Sequence, residues 1–139
     1  MREDHLMADV TVVGGGVVGL TSALELARAG YRVRCVRDQP VAETVSAVAG
    51  GLWFPYHVEP RDRVVAWGAV ALTRFADLAG DPASGVMMRE GLLVERGSAD
   101  RWWTTSVPSW RDASAAELPP GATGGVVATV PLVTMPVFL

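Results

Sequence analysis

Gly14, Gly16 and Gly19 occupy the three glycine positions of G-x-G-x-x-G, and Asp38 follows Gly19 by 19 residues. These types at this spacing suit noncovalent capture of a dinucleotide. The first glycine makes a tight turn, the second lets a pyrophosphate reach the backbone, the third lets a helix pack closely on a strand, and the distant carboxylate meets a ribose. No side-chain cation is needed for the phosphates, because a helix N-terminus supplies unpaired N–H groups and the positive end of its dipole. A glycine turn that serves packing alone is the competing reading, and the surrounding elements decide between them.

Val10 to Val13 is β-branched and uncharged, which suits a strand buried on both faces of a parallel sheet. After the glycines, Val18, Leu20, Ala23, Leu24, Leu26 and Ala27 recur at helical spacing, and Gly30 is placed as a C-cap. Tyr31 to Val36 then reads as a second strand that delivers Arg37 and Asp38 at its end. Strand, glycine turn, helix, strand and terminal carboxylate are the context in which the motif binds a dinucleotide.

Gln39, Pro40, Glu43, Thr44 and Ser46 read as a loop whose hydroxyls could donate to phosphate oxygens. In Ala47 to Tyr56, Gly50 and Gly51 signal close backbone approach or positive φ, while Trp53, Phe54, Pro55 and Tyr56 could be core and nothing more. Pro60 and Asp62 open a helix whose apolar positions, Val64, Val65, Ala69, Leu72, Phe75, Ala76 and Leu78, run up to Gly80. Trp67 and Arg74 fall off that stripe, which predicts a solvated or domain-facing position for both. Val86 to Arg96 reads as two short strands around Glu90-Gly91, a hairpin of an antiparallel sheet. Ser98 to Ala116 carries Trp102, Trp103 and Trp110 without a period, and packing under an irregular loop is favoured over a nucleobase platform. Pro119, Pro120 and Gly121 mark a break, and Val126 to Val133 reads as another strand.

Composition narrows the function classes. A chain of 139 residues, half of them hydrophobic, holds one domain with a real core. The net charge is −3 and all 12 cationic residues are scattered arginines, so there is no basic footprint and nucleic acid is not an expected partner. Cys35, alone, forms no internal disulfide and reads as a small buried hydrophobe. Met1 to Ala8 resembles neither a secretory signal nor a transit peptide, and Met7 is a second candidate initiator. No apolar run is long enough for a transmembrane helix, so no membrane partner and a cytoplasmic location are expected. G-x-S-x-G, C-x-x-C, H-E-x-x-H and the P-loop are absent, and His5 and His57 sit in unrelated contexts. No metal site and no catalytic side chain are assigned.

The combination of GGGVVGL, the Arg37-Asp38 pair and above all SAVAGGLWFPY resembles the D-amino-acid oxidase family of FAD flavoproteins, and ELPPGATGG with VPLVTMPVFL extends the resemblance along nearly the whole chain. The resemblance implies FAD as cofactor. Gly14, Gly15, Gly16, Val17, Val18 and Gly19 fall where the family holds the pyrophosphate, and Arg37 and Asp38 where it holds the adenosine. Thr44 and Ser46 fall at hydroxyl positions near the phosphates; Val45 departs from a position that is often a hydroxyl as well. Gly50, Gly51 and Leu52 fall where the main chain lies beside the isoalloxazine ring, and Trp53 and Tyr56 would then lie near the flavin.

The implied reaction is oxidation of a D-amino acid to an imino acid, with dioxygen as electron acceptor, followed by hydrolysis to a 2-oxo acid and ammonia. The family's carboxylate-binding arginine and tyrosines lie beyond Leu139, so the chain is expected to be an N-terminal fragment, poorly soluble and inactive alone. The implied fold is α/β: a Rossmann-like FAD-binding βαβ unit with the flavin loop over residues 1–60, and a helix with the start of a mixed-sheet substrate domain over 61–139. A homodimer is compatible with this. Three function classes stay open: the D-amino-acid oxidase; a D-aspartate or glycine oxidase-type relative; and a nicotinamide reductase or noncatalytic dinucleotide-binding module, with Asp38 opposing a 2′-phosphate beside Arg37.

Overall fold

The computed structural model of the chain describes residues 9–55 and 58–139. The expectations for Met1 to Ala8, Tyr56 and both histidines lie outside the described residues. Met1–Gly50 and Met135–Leu139 form one compact unit, and Gly51–Thr134 a second.

In the first unit, β1 (Asp9–Val13), α1 (Val17–Arg28) and β2 (Arg32–Val36) follow one another. The two strands pair in parallel from Asp9↔Arg32 to Val13↔Val36. Parallel neighbours need a crossover, and α1 supplies it. The helix stops because Ala29 and Gly30 donate back to Glu25 and Ala27, and Gly30 adopts φ 93°, a left-handed cap that favours glycine. A 3-10 turn (Val41–Glu43) and the short α2 (Val45–Val48) follow, and α4 (Met135–Phe138) packs against α2.

Burial of the first strand differs from expectation. Along β1 residues alternate between exposed and half-buried, and Val13 is 82% exposed. The reason is layering: within this unit α1 covers one face of a two-stranded sheet, so alternate side chains point away from it. Cys35 also departs from expectation. It is exposed rather than buried, and its thiol lies 3.3 Å from the Gly14 carbonyl oxygen.

The second unit contains α3 (Arg61–Leu78), β3 (Val86–Glu95), β4 (Trp110–Asp112) and β5 (Gly124–Val133). The sheet order is β3-β5-β4, and both pairings are antiparallel. The hairpin expected at Glu90-Gly91 is instead the middle of one strand: Glu90 pairs with Thr129 and Gly91 with Ala128, without interruption. A tight hairpin needs positive φ at its centre, which Gly91 does not adopt, and the ten-residue β5 offers a partner to every residue of β3.

The core of this unit is Trp103, Val107, Val126, Ala128 and Val130, with Trp53, Phe54, Leu93 and Trp102 packed against it. Phe54 meets Trp103 edge to face, with ring centroids 4.6 Å apart. The three tryptophans of the aperiodic stretch therefore separate: Trp103 is core, Trp102 lies under the Arg61 guanidinium at 5.5 Å, and Trp110 is exposed on β4. Trp67 is exposed, as its place off the α3 stripe predicts.

Charge ties the sheet ends to the loops. Arg101 donates to both Glu95 oxygens at 2.7 Å and to Asp112 at 2.6 Å, bridging the end of β3 to β4. The Arg101 hydrogen bonds hold the nearly buried Glu95 carboxyl below its ordinary range, against the opposing effect of burial. Glu117 is pulled down to about 2, first by Arg111 and then by the Ser114 amide and hydroxyl. Both groups titrate lower when folded than when unfolded, so they stabilise the fold above the ordinary carboxylate pKa. That contribution fades as pH falls from about 4.5 toward 2. Urea midpoints should therefore drop through this window, and Glu117→Gln should flatten the drop; an unchanged slope in the variant would exclude Glu117 as a source.

Candidate functional site

β1 ends where Gly14 turns with φ 126°, a conformation side chains rarely adopt, while its N–H donates to Val36 O at 2.8 Å. The chain then enters α1 with Gly16 as N-cap, in extended conformation and without a side-chain cap of its own. Gly19 sits over the turn so closely that a Cβ would lie 2.2 Å from Gly14 O. This is the close packing its motif position predicts.

The N–H groups of a first helical turn have no partner within the helix. Here Val17 N–H is met at 2.9 Å by Ser46 Oγ, reaching across from α2. The first turn of α1 holds no acidic residue, so nothing there repels an anion. Ser46 is half-buried; while its oxygen accepts from Val17, its own proton remains to donate outward. Ser46→Ala should lower the melting temperature slightly, in line with about 1 kcal/mol for a lost helix cap. A melting curve identical to wild type would show that the cap contributes nothing.

Thr44 behaves differently. It is 7% exposed, and its hydroxyl donates inward to Val41 O at 2.7 Å. Of the two expected hydroxyls, Ser46 reaches the α1 N-terminus and Thr44 closes its own loop. Val45 between them is 83% exposed. Val17 is half-buried and Val18 is exposed, so what these two bring to the turn is backbone.

Arg37 and Asp38 leave the end of β2 at the surface, on the same side of the unit as the glycine turn. The Arg37 side chain lies against Gly15, where a Cβ would come within 3.0 Å of Arg37 Cδ and 3.1 Å of its Cβ. A side chain at residue 15 would press on Arg37, which would have to give by a few tenths of an ångström, even though the motif leaves that position open.

The two glycines of the aromatic stretch have different environments. A Cβ on Gly50 would meet nothing within 4 Å, whereas one on Gly51 would lie 1.9 Å from Val133 O. In the second unit, Gly51–Trp53 runs along β5 beyond the reach of β4. Val133 N donates to Gly51 O at 2.7 Å and Trp53 N to Pro131 O at 3.0 Å, around the isolated bridge Leu52↔Leu132. Bonds that flank a pair in this way turn the Leu52 N–H and C=O away from β5. Trp53 packs against the core cluster.

Also in the second unit is an open cleft of about 710 Å3 between Phe54, Leu93, Trp102 and the charged rim of Glu59, Arg61 and Asp100. Arg61 reaches Glu59 at 3.0 Å and Asp100 at 2.7 Å, so one guanidinium bridges two carboxylates at the rim. Among the described residues no group of three His, Cys, Asp or Glu could hold a metal ion, and no helix is long and apolar enough to cross a membrane.

Residues 9–130 match the FAD dependent oxidoreductase (DAO) family. The D-amino-acid oxidase of Rubrobacter xylanophilus is 41% identical over 137 residues, covering 97% of this chain and 42% of that protein. That of Streptomyces coelicolor is 44% identical over 140 residues, covering 99% and 43%. Among solved structures, glycine oxidase from Bacillus cereus superposes with a TM-score of 0.63 at 20% identity, over 94% of this chain and 41% of its own. L-amino acid deaminase from Proteus vulgaris does so with a TM-score of 0.68 at 18% identity, over 95% and 36%. The chain thus spans about two fifths of the length of the curated relatives it matches. With a βαβ unit, a glycine turn under a helix N-terminus and a family match over most of its residues, this chain belongs to the FAD dependent oxidoreductase family.

Proposed function

We propose that this chain is the FAD-binding part of an enzyme that oxidatively deaminates D-amino acids, with dioxygen as the electron acceptor. The observation that carries the reading is the N-terminus of α1, where Gly14–Gly16 leave no side chain in the way and the single hydroxyl of Ser46 stands ready to donate. This arrangement fits a pyrophosphate. Identity above 40% to two D-amino-acid oxidases, over nearly all of this chain, supports the substrate class.

In this reading the amides at the start of α1, with Gly15 and Gly16, bind the pyrophosphate, and Val17 and Val18 contribute main chain alone. Ser46 donates to a phosphate oxygen while fixing Val17. Thr44 acts indirectly, by holding the loop that presents Ser46. Arg37 and Asp38 take the adenosine, with Asp38 accepting from ribose hydroxyls. Gly50 permits close approach, Gly51 holds the strand beside it in place, and the outward-turned backbone of Leu52 is the hydrogen-bonding edge for the ring. FAD, when bound, supplies the two-electron oxidation of the substrate Cα–N bond. None of the described residues is assigned as an acid or base, because orientation of the substrate carbon suffices. The division of labour follows residues 1–60 and 61–139, cofactor elements first and the start of the substrate domain second.

The test is a visible absorption spectrum of the protein expressed from its complete reading frame, before and after anaerobic addition of D-alanine. Flavin bands that bleach with the D-isomer and persist with the L-isomer are expected. Flavin bands indifferent to every D-amino acid would move the reading to a relative with another amine substrate. A colourless protein that takes up no FAD would overturn it.

A further inference from the structure

The open cleft of about 710 Å3 in the second unit extends away from the residues assigned to the flavin. Leu52 bridges to Leu132, whereas Leu93 of the cleft pairs with Val126, six residues back along β5. At about 3.3 Å per residue, Leu52 and Leu93 stand roughly 20 Å apart. The volume is usual for a small-molecule site, and so is the lining of half-buried Phe54, Leu93 and Trp102 with a charged rim.

Much of the rim belongs to one short loop, Arg96 to Asp100. Its ends are pinned because Arg101 donates to both Glu95 oxygens, and Gly97 N–H ties it to Thr123 Oγ1 at 2.9 Å. Arg96 and Asp100 are thereby set on the two stems of the loop with opposite charges. They do not pair with each other, and Arg96 forms no ion pair among the described residues. Asp100 accepts from the Arg61 guanidinium at 2.7 Å and from Trp102 N–H at 3.3 Å. Glu59 accepts from the Arg61 side chain at 3.0 Å and from its N–H at 3.1 Å. A carboxylate offers about four lone-pair sites, so each keeps acceptor capacity. One guanidinium between two carboxylates also leaves a net negative charge. Arg61 lies over the Trp102 ring at 5.5 Å and links the start of α3 to the loop, so the rim is built before any ligand arrives.

We propose that this cleft binds a free α-amino acid as a zwitterion, at a site separate from the flavin. The ammonium donates to Asp100 and Glu59, the carboxylate accepts from Arg96, and an apolar side chain lies on Phe54 and Leu93. An unpaired cation and surplus carboxylate capacity on one pinned loop select a ligand that carries both charges on one carbon. A simple amine would leave Arg96 unused, and a simple acid would meet the negative side of the rim. Such a site needs neither flavin nor turnover.

The test is tryptophan emission of the flavin-loaded protein from its complete reading frame, titrated with L-leucine, an isomer that the proposed oxidation leaves intact. A saturable change is expected, with the flavin bands unmoved. Isoamylamine and isocaproate, which lack the carboxylate and the amine in turn, should bind about fivefold or more weaker. Arg96→Ala and Asp100→Asn should weaken L-leucine to the same degree, while D-alanine turnover stays as in wild type. Arg96 is exposed and without an ion pair, so its variant keeps the fold even if loss of the Asp100 charge loosens the loop. Emission unchanged at every concentration would overturn the proposal, including the case in which another segment of the same chain fills the cleft. So would equal affinity for the amine or the acid alone, or flavin bands that shift together with the emission, which would put the ligand at the flavin. A protein that takes up no flavin would sink the oxidase reading, yet the same titration remains readable on it.

Discussion

Gly51→Ala is expected to unfold the end of the antiparallel sheet, while Gly50→Ala, one residue earlier, leaves the melting temperature unchanged. The new methyl at residue 51 would lie 1.9 Å from the Val133 carbonyl oxygen and 2.8 Å from its carbon, both backbone atoms of a strand already paired with β3. Neither side can give without breaking Val133 N–H to Gly51 O or Trp53 N–H to Pro131 O. Displacing this segment would also pull Trp53 and Phe54 from the core cluster. A loss of about 4 kcal/mol or more follows, the range reserved for named mechanisms such as overpacking against backbone. At residue 50 the methyl enters open space, where the stability change should stay within about 0.5 kcal/mol. Calorimetry on both variants decides the matter. A Gly51→Ala melt within a degree or two of wild type would mean that β5 yields more easily than its pairing implies. Gly50→Ala then becomes the clean probe of the cofactor reading: with stability intact, a fall in flavin affinity reports what approaches that backbone.

Gly19→Ala is the second large effect. Its methyl would stand 2.2 Å from Gly14 O and 2.8 Å from Gly14 C, so α1 must lift from the end of β1. The N-terminus of the helix moves with it, and so do the amides proposed for the pyrophosphate. A fall in FAD occupancy of tenfold or more is expected, together with a loss of about 3 kcal/mol or more in apo stability. Gly16→Ala provides the contrast. There the methyl meets only Ser46 Oγ, at 2.8 Å, the tip of a side chain that can rotate away. The apo protein should lose only about 1 kcal/mol, as in Ser46→Ala, while FAD binding suffers because Ser46 is displaced from Val17. Equal flavin content in Gly19→Ala and wild type, measured by the ratio of visible to ultraviolet absorbance, would exclude the packing argument.

Much of the first unit was legible in the sequence because its information is local. The spacing of Gly14, Gly16 and Gly19 between a β-branched run and a helical period specifies a turn geometry that a short peptide already encodes, and the strands and helix lie within a residue or two of expectation. Helix α3 was legible for the same reason, down to the exposure of Trp67. The likeness of SAVAGGLWFPY to the D-amino-acid oxidases agrees with the family that residues 9–130 match.

What the sequence could not determine is what each residue meets across the fold. Glu90-Gly91 has the composition of a turn, yet a ten-residue partner strand keeps it extended; that partner begins more than thirty residues downstream. Cys35 and Val13 read as core because a β-branched run does not say how many layers cover it. Gly50 and Gly51 are identical letters, and only the Val133 carbonyl distinguishes them. Gly15 lies against the Arg37 side chain, and Ser46 owes its place at the head of α1 to a contact across 29 residues. Local propensity and motif spacing thus determined the elements and the chemistry they suit. Tertiary contact decided which glycines are structural, which hydroxyl faces the helix end and which faces are buried, because those depend on atoms that sequence proximity does not bring together.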